Sequence, residues 1–204
     1  MLLLVGLGNP GARYARHRHN IGFMAVEAVA QAHRFGPWRS KFSSLVSEGL
    51  LGDVRVLLQK PQTFMNLSGR AVAEAARFYK LPLEQVVVCH DELDLVAGKV
   101  RIKTGGGVAG HRGLRSIAEQ LGSPDFKRVR MGIGHPGDKD RVTGHVLGDF
   151  ATADREWLER LLDAFAEAAP LLAAGDDAGC MNRIAVRMQP PKVDAQGSPS
   201  FPAR

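Results

Sequence analysis

The chain has 204 residues, is 45% hydrophobic, and carries 27 Lys and Arg against 21 Asp and Glu for a net charge of +6. That length and composition suit one domain, or one with a small second unit, and exclude wholesale disorder, collagen and coiled coil. No apolar run approaches the ~20 residues of a membrane helix, and Met1 to Val5 stops at Gly6 without a basic flank, so a soluble cytoplasmic protein is expected.

In chain order, Met1 to Leu7 is a short apolar run ending at glycine, the pattern of a buried strand. Ile21 to His33 follows as a helix, with Phe23, Val26 and Ala30 on one face. Leu45 to Leu51 and Val54 to Lys60 flank Gly52-Asp53 and predict a hairpin with a type II′ turn. Ser68 is placed to cap a helix running to Tyr79, with Val72, Ala75 and Ala76 inward and Pro82 beyond its end. Gln85 to Cys89 is a Val-rich run of the kind covered on both faces of a sheet. Lys99 to Thr104 alternates, with Lys99, Arg101 and Lys103 on its polar side. Leu114 to Leu121 predicts a helix and Arg128 to Gly134 another alternating strand. The stripe Trp157, Leu158, Leu161, Leu162, Phe165, Ala168, Leu172 marks a long late helix. Intermixed strands and helices predict a single α/β domain over 1–188, a twisted mixed sheet with helices on both faces. Residues 189–204, rich in Pro, Ser, Gly and Ala, predict a disordered tail.

Charge is unevenly placed. Residues 1–150 hold 21 basic against 13 acidic residues, and 151–204 hold 6 against 8. Lys99 to Arg130 alone carries eight basic residues against Glu119 and Asp125, which fits either a solvated basic face or a polyanion site. Cys89 and Cys180 form no disulfide framework and lack metal-ligand spacing, as expected in a reducing compartment.

Val5-Gly-Leu-Gly-Asn-Pro-Gly11 contains a G-x-G-x-x-G after a strand. The dinucleotide fingerprint also needs a helix opening at the glycines and an acid at the end of the next strand, about 20 residues on. Pro10-Gly11 forces a turn instead, and Glu27 falls inside the predicted helix, so what remains is a tight turn presenting Asn9 at the carboxyl end of the first strand. Gly105 to Arg112 is not a P-loop, because His111 and Arg112 stand where Lys and Ser or Thr belong. It is either an unoccupied glycine turn or a backbone cradle for an anion. His90-Asp-Glu-Leu-Asp94 offers a metal site without supporting ligands elsewhere, an acid that orients a distant histidine, or a capped turn. His19 lies just before the first helix among basic residues, a candidate base, with Asn20 as a candidate helix cap. Phe64, Met65 and Asn66 combine apolar surface with a neutral donor, and read equally as an ordinary helix entry. No G-x-S-x-G elbow occurs and neither cysteine has a basic neighbourhood, so any nucleophile is expected to be water.

Taken together, Val5 to Gly11, Tyr14, Arg18-His-Asn20, Thr63 to Gly69, His90 to Asp94, Gly105-Gly-Gly107, Gly110-His111 and Met131 to Lys139 resemble the bacterial-type peptidyl-tRNA hydrolase family. The likeness runs in matching order from Leu3 to about Arg187. It implies a monomeric enzyme without metal or other cofactor that cleaves the ester joining a peptide to the 3′ end of tRNA, with no membrane and no obligatory protein partner. It further implies His19 as the base that activates water and Asp91 as the residue that orients it. Asn9 and Asn66 would hold the substrate's carbonyl and peptide backbone. Tyr14, Phe64 and Met65 would wall the terminal nucleotide and nascent peptide, His111 and Arg112 would contact substrate, and Lys103 and Arg130 would grip a tRNA phosphate. Arg112 departs from the family, which commonly has Asn there. The rival expectation is a non-catalytic RNA-binding module on the same fold.

Overall fold

The computed structural model describes residues 1–190 together with the backbone of Lys192–Val193 and Pro199–Ser200, two short segments paired antiparallel. The rest of the tail expected to be disordered lies outside the described residues.

The strands are β1 (Leu2–Gly6), β2 (Arg39–Lys41), β3 (Ser44–Leu51), β4 (Val54–Pro61), β5 (Val86–Glu92), β6 (Val100–Thr104) and β7 (Lys127–Gly132). The helices are α1 (Ile21–Ala32), α2 (Ser68–Phe78), α3 (Arg112–Leu121), α4 (Val142–Val146), α5 (Arg155–Ala173) and α6 (Asp177–Arg187). The seven strands form one sheet in the order β2-β3-β4-β1-β5-β7-β6. Its centre is parallel, from β4 through β1 and β5 to β7, and the edges β3, β2 and β6 are antiparallel.

Side-chain alternation along the central strands divides the core in two. Leu2 and Leu4 of β1, Val87 and Cys89 of β5, and Val129 and Met131 of β7 join α1, α5 and α6 on one face. Leu3 and Val5 of β1, with Val86 and Val88 of β5, pack with α2 and α3 on the other. Each such side chain, buried completely, contributes roughly 1.5–3 kcal/mol relative to exposure. Burial on both faces is why β1 and β5 read as unbroken apolar runs rather than as alternating ones.

Several boundaries differ from the sequence reading. Strand β5 runs on to Glu92, so His90 and Asp91 sit within the sheet and are buried, not in a turn after it. Ser68 opens α2 without capping it, and its hydroxyl donates back to the Met65 carbonyl. The β3–β4 hairpin turns at Gly52 with φ of 59°, while Asp53 keeps a negative φ, as a type II′ turn requires. Helix α6 has no counterpart among the predicted elements. Its signal is Asp176, whose carboxylate accepts from Gly179 N at 2.8 Å as an N-cap.

The glycines after β1 have a packing role. A Cβ on Gly6 would collide with the Gly22 carbonyl, and one on Gly22 with Leu7 N and the Cys89 carbonyl. Helix α1 therefore crosses the ends of β1 and β5 at backbone contact, and Phe23 N donates to Leu7 C=O at 3.2 Å. Gly8 lies against the Phe23 ring, where a Cβ would stand 2.7 Å from it. The G-x-G spacing thus serves strand–helix approach, and it holds the turn that precedes α1 close to the carboxyl edge of the sheet.

Candidate active site

The chain leaves β1 for β4 on one side and returns through α2 to β5 on the other, and a cleft of about 640 Å³ opens at the carboxyl ends of these strands. Such a reversal of strand order is where α/β sheets gather ligands. Every site residue read from the sequence lines this one cleft: Asn9, Tyr14, His19, Phe64, Met65, Asn66, Asp91, Lys103, His111, Arg112 and Arg130.

At its floor the Asp91 oxygen Oδ1 stands 2.7 Å from His19 Nδ1 and 3.0 Å from His111 Nε2. The hydrogen-bond network assigns the tautomers. His111 Nδ1 accepts backbone N–H groups from Gly113 at 3.1 Å and Leu114 at 3.3 Å, capping α3, so its proton is on Nε2 and is donated to Asp91. His19 donates through Nδ1, which leaves Nε2 without a protein partner among the described residues. Burial alone would raise the Asp91 carboxyl, but the His19 and His111 imidazoles outweigh it and hold the group well below the usual carboxylate range. His90 donates Nδ1–H to the Asp91 carbonyl at 2.7 Å and meets the His111 ring edge-on at 5.0 Å. Its Nε2 is buried without a partner, and burial followed by repulsion from His111 lowers its pKa to about 3.

Ligand atoms of His19, Asp91 and His111 lie within 4.8 Å of one another, the one such group among the described residues. The donor chemistry does not fit a metal. A histidine ligating through Nε2 needs a proton on Nδ1, and His111 Nδ1 already accepts two backbone N–H groups.

Asn20 does not cap α1. Its side chain reaches back to both backbone polar groups of Asn9, fixing the loop after β1 beside the Arg18–Asn20 turn that carries His19. Asn9 Oδ1 in turn accepts from Met65 N at 2.8 Å, which orients the amide and leaves Nδ2 as its donor end. Asn66 is exposed on the rim. Phe64, 56% exposed, meets Tyr14 edge-on at 6.5 Å.

Arg101, Lys103, Arg128 and Arg130 share one face of β6 and β7, because Lys103 pairs with Arg128 and Arg101 with Arg130 across the strands. Arg128 is buried and donates to the carbonyls of Gly106, Gly107 and Pro124, so it braces the glycine loop. Arg130 is held by Nε to Glu92 Oε2 at 2.8 Å. Lys103 is exposed and forms no ion pair among the described residues. The opposite wall, built by α4 and Leu147, was not among the site residues read from the sequence, and Glu92 was read there only as one carboxylate of the His90 to Asp94 motif. Its role as the acidic partner of Arg130 emerges only from the strand register.

A carboxylate bridging two imidazoles beside a basic strand pair defines an α/β enzyme. The family model described as peptidyl-tRNA hydrolase matches residues 3–192. The peptidyl-tRNA hydrolase of Cereibacter sphaeroides (strain ATCC 17029 / ATH 2.4.9) is 62% identical over 194 residues, 95% of this chain and 86% of its own. That of Methylobacterium sp. (strain 4-46) is 62% identical over 93% of each chain. The crystal structure of peptidyl-tRNA hydrolase from Acinetobacter baumannii superimposes with a TM-score of 0.84 at 40% identity, covering 90% of this chain and 94% of that one. This chain belongs to the peptidyl-tRNA hydrolase family.

Proposed function

We propose that the chain hydrolyses the carboxylic ester between a peptide and the 3′ end of tRNA, with water as nucleophile and His19 as general base. The observation that carries this reading is the His19–Asp91 bond at 2.7 Å, which turns the free Nε2 lone pair of His19 to the cleft. Water oxygen adds to the ester carbonyl as its proton passes to Nε2, and the Asp91 carboxylate stabilises the imidazolium so formed. The tetrahedral oxyanion then collapses, the tRNA 3′ oxygen leaves with the proton from His19, and peptide carboxylate and free tRNA are the products.

Asn9 Nδ2 and the Asn66 amide are the donors for the developing oxyanion and the peptide backbone, an interaction worth several kcal/mol when preorganised. Preorganisation at Asn9 is supported by its bond from Met65 N. Tyr14, Phe64 and Met65 wall the terminal nucleotide and peptide. Lys103 and the two terminal nitrogens of Arg130, left unbonded by the Glu92 contact, take the end phosphate, and His111 and Arg112 border the acyl group. The enzyme works as a cytoplasmic monomer. Among the described residues no helix is long and apolar enough to cross a membrane, and both cysteines are free and buried.

The test is release of tRNA from N-acetyl-aminoacyl-tRNA, with unblocked aminoacyl-tRNA as control and a chelator present. The native enzyme is expected to cleave the blocked ester alone, and His19→Ala to lose about 10²–10⁴-fold in kcat. Tight tRNA binding without cleavage would make the chain an RNA-binding module.

A further inference from the structure

The cleft wall α4 is weakly anchored. It has no buried residue, and among the described residues two side-chain hydrogen bonds tie it to the rest of the molecule. One runs from His145 Nε2 to the Ile133 carbonyl at 3.2 Å, and the other from Arg18 Nη1 to the His145 carbonyl at 3.5 Å. Arg18 directly precedes His19.

The guanidinium does more than touch α4. Nη1 also donates to the Asp149 carbonyl at 2.7 Å, Nη2 pairs with Asp154 Oδ2 at 3.2 Å, and the group lies 5.6 Å over the Phe150 ring. The backbone repeats the tie. Arg18 N donates to Gly148 C=O and Phe150 N to Arg16 C=O, both at 3.0 Å, so residues 16–18 and 148–150 run as a miniature antiparallel pair. Asp154 is itself fixed by Trp157 Nε1 at 3.0 Å and Ala151 N at 2.9 Å.

The His19 turn is therefore held at two points from two directions, the His19 ring by Asp91 in β5 and the residues just before it, Arg16 to Arg18, by the segment joining α4 to α5. We propose that Arg18 is a positioning residue for the reaction: its fork makes the α4 wall and the His19 turn one body, so that the wall's placement sets the direction of His19 Nε2. This rests on the reading of His19 as base. A planar fork with several fixed donors suits the task, whereas the compact ammonium of lysine carries rotatable donors at the end of a flexible stem and does not reproduce the spread of the fork. Misplacement of a base by ~1 Å costs on the order of 100-fold in rate.

The experiment compares Arg18→Gln, Arg18→Lys and Asp154→Asn with the native enzyme and His19→Ala, reading kcat and KM on N-acetyl-aminoacyl-tRNA and the low-field proton resonance of His19 Nδ1–H. Arg18→Gln is expected to lose roughly tenfold to hundredfold in kcat with KM changed less than about threefold, and to shift or broaden the Nδ1–H signal. Asp154→Asn should move both readouts the same way by less, and Arg18→Lys should recover part of the loss. Folded Arg18→Gln with kcat within about twofold of native, or with the whole loss in KM, overturns the proposal. Where Arg18→Gln does not fold, the same criteria apply to Asp154→Asn. If His19→Ala cleaves as fast as native, the base reading fails separately, and the Nδ1–H signal alone decides whether Arg18 positions the ring.

Discussion

Asn9 and Asn20 are joined by a reciprocal pair of hydrogen bonds, Asn9 N to Asn20 Oδ1 and Asn20 Nδ2 to Asn9 C=O, each at 2.9 Å. One buried amide thus satisfies both backbone polar groups of Asn9 and locks the loop after β1 to the turn carrying His19. Asn20→Ala strands a buried N–H and C=O, at about 1–3 kcal/mol each. The expected result is a clearly lowered melting temperature together with reduced kcat, and Asn20→Asp, which keeps the acceptor alone, should fall between. Native stability in Asn20→Ala would show that other groups or water take over the pairing.

His111 joins two tasks that substitution can separate. As N-cap it accepts from Gly113 N and Leu114 N, and as donor it holds Asp91. Asn is a good cap but has no group placed to reach Asp91, whereas Ala does neither. His111→Asn and His111→Ala should therefore lose similar activity, while Ala alone melts lower, by ~2–4 °C for each ~1 kcal/mol in a chain of this size. Native kcat in His111→Asn would remove His111 from the Asp91 network as a contributor to catalysis.

Stability should fall on acidification, in two overlapping windows. The unfolded chain protonates His90 below about 6.5, but the folded protein does so only near a pKa of about 3, because burial and then His111 disfavour the charged ring. The unfolded state binds more protons over that range, so stability is full above about 6.5 and is lost as pH drops toward 3, by on the order of 4 kcal/mol. The Asp91 carboxyl is held below its ordinary value, so its contribution is present above about 4 and is lost as pH falls further. Urea unfolding at pH 7.5, 5.5 and 4.5 should give a steady decline, flatter in a folded variant lacking the His90 imidazole. A constant free energy from 6.5 to 4.5 in the native protein would contradict the assignment.

Arg112 is exposed as the first residue of α3 and makes no ion pair among the described residues, so its guanidinium does not hold the fold. Arg112→Asn is expected to keep kcat/KM within about threefold, under ~1 kcal/mol of transition-state binding. A large loss would give this arginine an essential contact of its own with the substrate.

The local patterns of the chain determined which segments became elements. Unbroken apolar runs marked β1 and β5, which are buried on both faces, period-2 alternation marked β6 and β7, and period-3.6 spacing marked α1, α2 and α5. Short or exposed pieces such as β2 and α4 escaped, because little apolar burial marks them. The candidate residues were legible as motifs, and the basic window from Lys99 to Arg130 was visible as charge. The tertiary structure decided their relations. Asp91 lies 72 residues from His19 and 20 from His111, so only the stacking of β1, β5 and α3 brings one carboxylate oxygen between two imidazoles. The strand register likewise sorted the basic window, taking Arg128 into the glycine loop, tying Arg130 to Glu92 and leaving Lys103 exposed. A side chain's type fixes what it can donate or accept, but whether it meets an ion partner, a carbonyl or open water depends on residues that the chain's local pattern does not encode.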